Sequence, residues 1–230
     1  KLIIVDREEL HVHGFNYTAA DMKSRSFGIV TRSKLMVQEA LRLIDADIAR
    51  QEFEPMLDGF VVSPENAREQ LATFIKRAKR SLVIYDPKLT DTQMLRLLNL
   101  RAKAGVNIRV IGKVGKRVGN LRVQKMPGMR LHVRAIIRDG DTAFVGSQSL
   151  RALELDGRRE VGVIVRDPAV LKRMSEIFEE DWAKTDLGRK AQKQIEKEQK
   201  LAAADGGAVE SPLHAAMRSE GRQPPFPPGG

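Results

Sequence analysis

Apolar side chains occupy alternate positions of residues 131–138, a pattern typical of a β-strand with one buried face. The apolar positions share one face of this strand, whereas His132 and Arg134 point to the other. Two further runs, rich in Val, Ile and Phe, predict strands at about residues 142–146 and 160–166. The pattern therefore predicts three consecutive strands, the first of which carries an imidazole and a guanidinium on one face.

Helical periodicity follows the third strand. Asp167 and Pro168 have the residue types of an N-cap and a first-turn proline, and apolar residues then recur at helical spacing as far as Trp182. Upstream, residues 60–111 alternate strand-like and helix-like runs. Ser63-Pro64 predicts the start of one helix, and Thr90 with Gln93 predicts a capping box for another. Alternating strands and helices indicate an α/β fold.

The chain contains an internal repeat. Residues 1–16 align with residues 134–149 at an offset of 133, and residues 25–47 lie over residues 159–182, with the paired positions at an offset of 134. The aligned charged and polar pairs in the first stretch are Lys1 with Arg134, Asp6 with Asp139, and Asn16 with Ser149. The similarity extends over charged, turn and core positions, so we interpret it as a duplication.

Only the second copy has a front half of alternating strands and helices, so we expect the sequence to be truncated at its start. The predicted organisation is residues 1–50 as the remainder of a first repeat, 51–58 as a linker, 59–183 as a complete second repeat, and 184–230 as a polar, largely disordered tail. The expected fold class is α/β, a pseudo-twofold duplication of mixed sheets flanked by helices, with the first half incomplete.

Charge and composition limit the possible chemistry. The formal net charge of +10 favours anionic partners, namely nucleic acid, acidic lipid headgroups or phosphorylated metabolites. Residues 112–126 contain five cations and no acid. The chain has no cysteine, which excludes disulfides, thiolate metal sites and a cysteine nucleophile.

Both copies resemble the signature of the phospholipase D superfamily: His-x-Lys, four residues, Asp, six residues, then Gly-Ser/Gly-x-Asn. In the second copy, His132, Arg134, Asp139 and residues 146–149 follow this spacing. The first copy follows it from Lys1 through Asp6 to residues 13–16, and the motif histidine would fall two residues before Lys1. The resemblance implies a pseudo-twofold α/β protein in which both motifs meet at one site.

The resemblance also implies a phosphodiesterase or phosphatidyltransferase that acts through a phosphohistidine intermediate and needs no metal or cofactor. His132 would be the nucleophile or the acid/base, and Arg134 and Lys1 would hold phosphate oxygens. Asp6 and Asp139, the remaining charged motif residues, are grouped with the catalytic set, although orienting a turn is their expected role. The expected substrate-binding residues are Asn16, Ser147, Ser149 and Glu160, of which Glu160 would orient a histidine across the site.

The motif leaves the substrate open. A phospholipid headgroup is the favoured substrate, and a nuclease acting on DNA or RNA or a catalytically weak phosphate-binding module are the alternatives. The basic segment 112–126 suits either a nucleic-acid backbone or peripheral contact with an anionic membrane. Cytoplasmic or peripheral membrane localisation is expected, and the sequence predicts no oligomeric state. His11 and His13 are interpreted as surface turn residues.

Overall fold

A computed structural model describes residues 1–115, 119 and 121–204 of the chain. Residues 1–50 contain β1 (Leu2–Val5), β2 (Glu9–His13), α1 (Ala19–Met22), β3 (Ser24–Arg25), β4 (Gly28–Thr31) and α2 (Lys34–Ala49). The rest of the described chain contains β5 (Phe60–Ser63), α3 (Ala67–Lys76), β6 (Ser81–Leu89), α4 (Thr92–Lys103), β7 (Asn107–Val114), β8 (Arg122–Gln124), β9 (Arg130–Leu131), β10 (Arg134–Arg138), β11 (Thr142–Gly146), a π-helical turn (Leu153–Gly157), β12 (Glu160–Val165), α5 (Pro168–Ala183) and α6 (Asp186–Ala204).

Two main sheets organise these elements. A three-stranded antiparallel sheet has the order β1-β2-β4, and a seven-stranded mixed sheet has the order β5-β12-β11-β10-β6-β7-β8. Strands β6, β7 and β8 are parallel, and the other neighbours in the large sheet are antiparallel. Strands β3 and β9 form a separate parallel pair. The predicted α/β class, with a mixed sheet flanked by helices, is confirmed.

Strand registers reproduce the internal repeat at the level of single residues. Leu2 pairs with Val12 in the small sheet, and their equivalents at an offset of 133, Ala135 and Val145, pair in the large sheet. Between β2 and β4, Leu10 pairs with Thr31, just as their equivalents pair between β11 and β12. Helices α2 and α5 begin and end 134 residues apart. The three strands and final helix of each copy therefore share one local fold.

Several predicted boundaries need correction. Asp91, rather than Thr90, caps α4 by accepting a hydrogen bond from the N–H of Met94, and α3 begins at Ala67, three residues after Pro64. The strand predicted over 131–138 is interrupted at residues 132–133, which separate β9 from β10. The Asp167–Pro168 helix start is confirmed. Residues 186–204 of the predicted polar tail are helical, and residues 205–230 lie outside the described part of the chain.

The two sheets share a core with α2 and α5. Leu10 and Val12 of the small sheet, Val133 and Ala135 of the large sheet, and Phe178 of α5 belong to one buried cluster. A second cluster fills the opposite face of the large sheet, beneath α3 and α4. Residues 1–189 form one compact unit, in which the two repeats share their interior.

The predicted linker, residues 51–58, is docked against the first repeat. Phe53 is buried in the shared core, and the guanidinium of Arg42 lies over its ring. The buried carboxylate of Glu39 accepts hydrogen bonds from the N–H groups of Met56 and Leu57. These contacts satisfy polar groups that burial would otherwise leave without partners.

Two ion pairs join the repeats in pseudo-symmetric positions. Arg25 of the first repeat donates two hydrogen bonds, of 2.7 and 2.8 Å, to the fully buried carboxylate of Asp181 in the second. Their equivalents, Arg159 of the second repeat and Asp47 of the first, form a pair at 3.0 Å, and both of these side chains are partly exposed. Tyr85 donates a further hydrogen bond to Asp181.

No helix in the described part of the chain is long and apolar enough to cross a membrane.

We expect Arg25→Ala to destabilise the protein far more than Arg159→Ala. Losing Arg25 leaves the Asp181 charge buried, and breaking a buried pair in this way costs about 3–5 kcal/mol, whereas the partly exposed pairs of Arg159 with Asp47 and Glu65 contribute about 0–1 kcal/mol each. Urea unfolding followed by circular dichroism measures both. Similar losses of unfolding free energy in the two variants would contradict the assigned importance of burial.

Candidate active site

The position of His132 depends on the first repeat. Residues 130–131, which form β9, pair in parallel with residues 24–25, which form β3, and the N–H of His132 continues this ladder by donating to the carbonyl of Arg25 at 3.0 Å. His132 therefore leaves the large sheet just before β10 begins, at a point where the first repeat holds its backbone.

Asp21, also from the first repeat, holds the imidazole of His132. Its Oδ1 lies 2.5 Å from His132 Nδ1 and 2.7 Å from a guanidinium nitrogen of Arg130. Its Oδ2 accepts hydrogen bonds from the backbone N–H and the side-chain amide of Asn16, at 2.9 and 3.0 Å. Because an ionised carboxylate only accepts hydrogen bonds, Nδ1 carries a proton, and Nε2 is left for chemistry in the neutral imidazole.

Hydrogen bonding keeps Asp21 ionised. Burial alone would raise the pKa of this carboxyl group, but hydrogen bonds from the Asn16 backbone, the His132 imidazole and the Asn16 side chain lower it to about 2. The partner of His132 therefore carries a negative charge at neutral pH.

Polar groups hold the guanidinium of Arg134 by hydrogen bonds. Its Nε donates to Ser149 Oγ at 3.3 Å, and one terminal nitrogen donates to the carbonyl of His132 at 3.0 Å. Beneath them, Asp86 is buried and accepts a hydrogen bond from the N–H of Leu150 at 2.7 Å. Burial raises the pKa of Asp86 to about 6, against the lowering effect of its hydrogen bonds and of Arg134. The hydrogen bonds to Ser149 and to the His132 carbonyl hold the guanidinium of Arg134 in one orientation.

Both repeats contribute to a small polar cavity of about 150 Å³. The side chains that were predicted for the site and that line it are Lys1, Asn16, His132, Arg134, Ser147 and Glu160. The cavity walls also contain His13, Gly14, Phe15, Glu154 and Arg158. The structure thus brings together six of the nine predicted residues around a space of the size of a phosphate group.

Asp6 and Asp139, which were grouped with the catalytic residues, do not line this cavity. Asp139 follows the far end of β10, where its carboxylate accepts hydrogen bonds from the backbone N–H groups of residues 79–81. Those hydrogen bonds lower its pKa against the effect of burial. Asp6 and Asp139 both have left-handed φ angles, of 51° and 54°, in equivalent turns. Their position is suited to shaping the turn, as the residue types suggested.

Ser149 also lies outside the cavity wall, where it is buried and contacts the guanidinium of Arg134. It is thus placed to orient Arg134 rather than to touch a ligand. Ser147 lines the cavity, but its hydroxyl exchanges hydrogen bonds with the backbone of Val161. His13, interpreted from sequence as a surface turn residue, lines the cavity and contacts Tyr17 through Nδ1. Burial and the charge of His11 lower the pKa of His13.

Sequence reasoning missed Asp21 and looked to Glu160 for the carboxylate that orients a histidine. Glu160 lines the cavity, and its carboxylate lies 3.6 Å from the Arg158 guanidinium. A signal for Asp21 existed, because the offset of 133 aligns it with Glu154. The equivalence is structural as well: Asp21 accepts from the N–H of Asn16, and Glu154 accepts from the N–H of Ser149. Extending the repeat alignment past the motif would have paired these two acids.

Among the described residues, no three His, Cys, Asp or Glu side chains converge in a way that could hold a metal ion.

Comparisons with known proteins agree with this architecture. Residues 71–182 match the family model described as "Cardiolipin synthase, PLD-like domain". Polyphosphate kinase from Porphyromonas gingivalis shares the fold with a TM-score of 0.65 and 20% identity over 74% of this chain and 29% of its own. Phosphatidylserine synthase from Haemophilus influenzae does so with a TM-score of 0.57 and 11% identity over 76% of this chain and 60% of its own.

NucT from Helicobacter pylori has a TM-score of 0.50 and 16% identity over 55% of this chain and 95% of its own. No curated protein sequence matches the chain significantly. The chain spans under a third of the polyphosphate kinase and three fifths of the phosphatidylserine synthase, and at these identities the likeness establishes the fold.

We expect Asp21→Asn to lower kcat for hydrolysis of an activated phosphodiester by about 100-fold or more, with a smaller effect on KM, because the amide no longer fixes the tautomer of His132. Steady-state kinetics with bis-p-nitrophenyl phosphate measure both constants. Asp45→Asn, at an exposed position of α2, is the matched control. Partial recovery in Asp21→Glu would support a positioning role, whereas full activity of Asp21→Asn would refute it.

Asp86 gives the fold a specific pH dependence. Its raised pKa means that the folded protein retains this proton at a pH where the unfolded chain has lost it, so its contribution to stability falls as pH rises from about 3.8 to about 6. We therefore expect the wild type to lose more unfolding free energy than Asp86→Asn between about pH 4 and pH 7. Parallel urea-unfolding curves at the two pH values, with equal changes in both proteins, would contradict this assignment.

Proposed function

Because the chain carries a phospholipase D-like domain and belongs to the phospholipase D superfamily, we propose that it cleaves phosphodiester bonds in the cavity shared by its two repeats. The observation that carries the proposal is the contact between Asp21 of one repeat and His132 of the other, beside the cation Arg134. A histidine with one fixed nitrogen, next to a guanidinium, is suited to reaction at a phosphorus atom.

In the proposed first step, the Nε2 lone pair of His132 attacks phosphorus. A P–N bond forms, the P–O bond to the leaving group breaks, and the electron pair of that bond goes to the leaving oxygen. The Nδ1 proton stays in its hydrogen bond to Asp21, which stabilises the positive charge that develops on the ring. The product is a phosphohistidine.

In the second step, water attacks phosphorus and the P–N bond breaks, which restores the imidazole. The attacking water must lose a proton. His13 lines the same cavity, and its lowered pKa keeps it neutral and able to accept that proton.

Cations on two sides of the cavity can hold the non-bridging phosphate oxygens. Arg134 comes from the second repeat and Lys1 from the first, and the charge that develops on the oxygens would lie between them. Asn16 is positioned by Asp21 and lines the wall nearby. These groups contact the phosphodiester itself, which phospholipid headgroups and nucleic acids have in common.

The phospholipid headgroup favoured by the sequence remains one proposed substrate, and nucleic acid is the second. The observation that favours nucleic acid is a cationic groove outside the cavity, described in the next subsection. A phosphate-binding module without turnover is the competing non-enzymatic function, and activity measurements separate it from both enzymes.

His132→Ala should abolish phosphodiesterase activity, with a fall of at least about 10³-fold in kcat, because it removes the attacking nitrogen. Release of p-nitrophenolate from bis-p-nitrophenyl phosphate measures this, and the covalent intermediate can be trapped as acid-labile phosphohistidine. His214→Gln, at a position outside the described part of the chain, controls for loss of an imidazole elsewhere. Equal inertness of wild type and His132→Ala, with phosphate binding retained, would favour the binding module.

Arg134→Lys should lower kcat/KM about tenfold although it restores the lysine of the family motif and keeps the charge. Lysine has no planar fork to bond Ser149 and the His132 carbonyl at once, so the cation would lose its fixed orientation. The same assay measures the change, with Arg134→Gln as the variant that removes charge as well. Higher activity in Arg134→Lys than in wild type would contradict this account of the support beneath the guanidinium.

A further inference from the structure

Beside the cavity lies a groove formed by two adjoining hollows of about 840 and 320 Å³. Both hollows are lined by Gly112, Lys113 and Lys125, so they adjoin at these residues. Arg122 borders the larger hollow, and Arg130 borders the smaller. We call this feature the basic groove, and its four cations are Lys113, Arg122, Lys125 and Arg130. It accounts for much of the basic segment that stood out in the sequence.

The basic groove has an unbalanced charge. None of the described residues that line it is Asp or Glu, although acids make up 30 of the 230 residues of the chain. Lys113, Arg122 and Lys125 are exposed and form no salt bridge with any described residue. A concave surface lined by charges of one sign concentrates the electric field and attracts an extended ligand of opposite sign.

The groove leads to the catalytic histidine. Arg130 of the smaller hollow contacts Asp21 at 2.7 Å, and Asp21 contacts His132 of the cavity, so one carboxylate bonds a wall residue of each space. Leu131, which also borders the smaller hollow, is the residue immediately before His132. A chain with its scissile phosphate at His132 would therefore have neighbouring phosphates within reach of the groove cations.

Shape and lining distinguish a nucleic-acid strand from a membrane. A flat bilayer attracts cations that project from a surface, whereas here the cations line a hollow that admits a chain. Between them lie apolar side chains, among which are Leu121, Met126 and Met129, suited to contact with sugars and bases. No aromatic residue is found among the described residues that line the groove, so base stacking would contribute little and binding should depend mainly on phosphate contacts.

We propose that the basic groove binds the phosphates that flank the scissile diester of a single-stranded nucleic acid. The inference rests on the proposed function for the position of the scissile bond, and it assigns the substrate class. Lys113 and Lys125, which border both hollows, are the central contacts. Because the contacts are to phosphate, binding should be steeply salt-dependent and tolerant of base sequence.

The test measures the binding of fluorescein-labelled oligo(dT) by fluorescence anisotropy between about 50 and 200 mM salt. The wild-type chain is compared with Lys113→Gln/Lys125→Gln and with a control, Lys172→Gln/Arg173→Gln, which removes two charges from the exposed side of α5. Each protein is also studied with His132→Ala, so that cleavage cannot obscure binding. Thermal unfolding confirms that each variant is folded.

We expect the groove variant to bind about tenfold or more weakly at the lowest salt, and the slope of log K against log salt to become shallower by about 1.4, which corresponds to two lost contacts to a single strand. The control should match the wild type. Equal weakening in both double variants would show attraction by overall charge and overturn the proposal. Binding to phosphatidylglycerol vesicles that depends on Lys113 and Lys125, without binding to oligo(dT), would also overturn it and assign the groove to a membrane.

Different results would reject the proposed catalytic function and the proposed role of the basic groove. Groove-dependent oligo(dT) binding by a protein that is inert toward bis-p-nitrophenyl phosphate would uphold the groove and reject the catalytic function. Hydrolysis that requires His132, without groove-dependent binding, would reject the groove alone.

Discussion

The close approach of the two repeats is the constraint on which the site depends. At its centre, a Cβ atom on Gly14 would lie 2.6 Å from the carbonyl oxygen of Gly146, so only glycine allows the two motif ends to meet. The buried Arg25–Asp181 pair anchors the same interface through charge. Arg25 also belongs to β3 and holds the backbone of His132 through its carbonyl group. The contacts that pack the two repeats together therefore also position the imidazole of His132.

Two buried carboxyl groups, those of Asp21 and Asp86, support the side chains of His132 and Arg134 in the site. Asp21 is inaccessible to water yet ionised, because its two oxygens accept hydrogen bonds from Asn16, His132 and Arg130. Asp86 lies under Arg134 with its pKa raised to about 6 by burial, so the two carboxyl groups respond in opposite ways to being enclosed. For Asp21 the hydrogen bonds from the Asn16 backbone, the His132 imidazole and the Asn16 side chain outweigh the effect of burial, whereas for Asp86 burial outweighs the effect of its hydrogen bonds.

The duplicated units have diverged where their surroundings differ. Ile136, on the large sheet, is buried beneath α3 and α4, whereas its equivalent Ile3 on the small sheet is 40% exposed. Asp181 of the Arg25–Asp181 pair is fully buried, but both side chains of the equivalent Arg159–Asp47 pair are partly exposed. The same local fold thus carries different energetic weight in its two copies, because stability depends on what covers each residue rather than on its place in the repeat.

The sequence by itself determined the α/β class, the duplication and six of the residues that line the cavity, because strand alternation and motif spacing are local properties of the chain. It could not determine which carboxylate holds His132, because Asp21 and His132 are 111 residues apart and only the packing of the repeats brings them together. The same reason explains the displacement of Asp139 and Ser149 from the cavity, and the joining of Lys113, Lys125 and Arg130 into one groove. Motif spacing specifies where a residue lies on its strand, whereas the tertiary structure decides which end of that strand meets the other repeat.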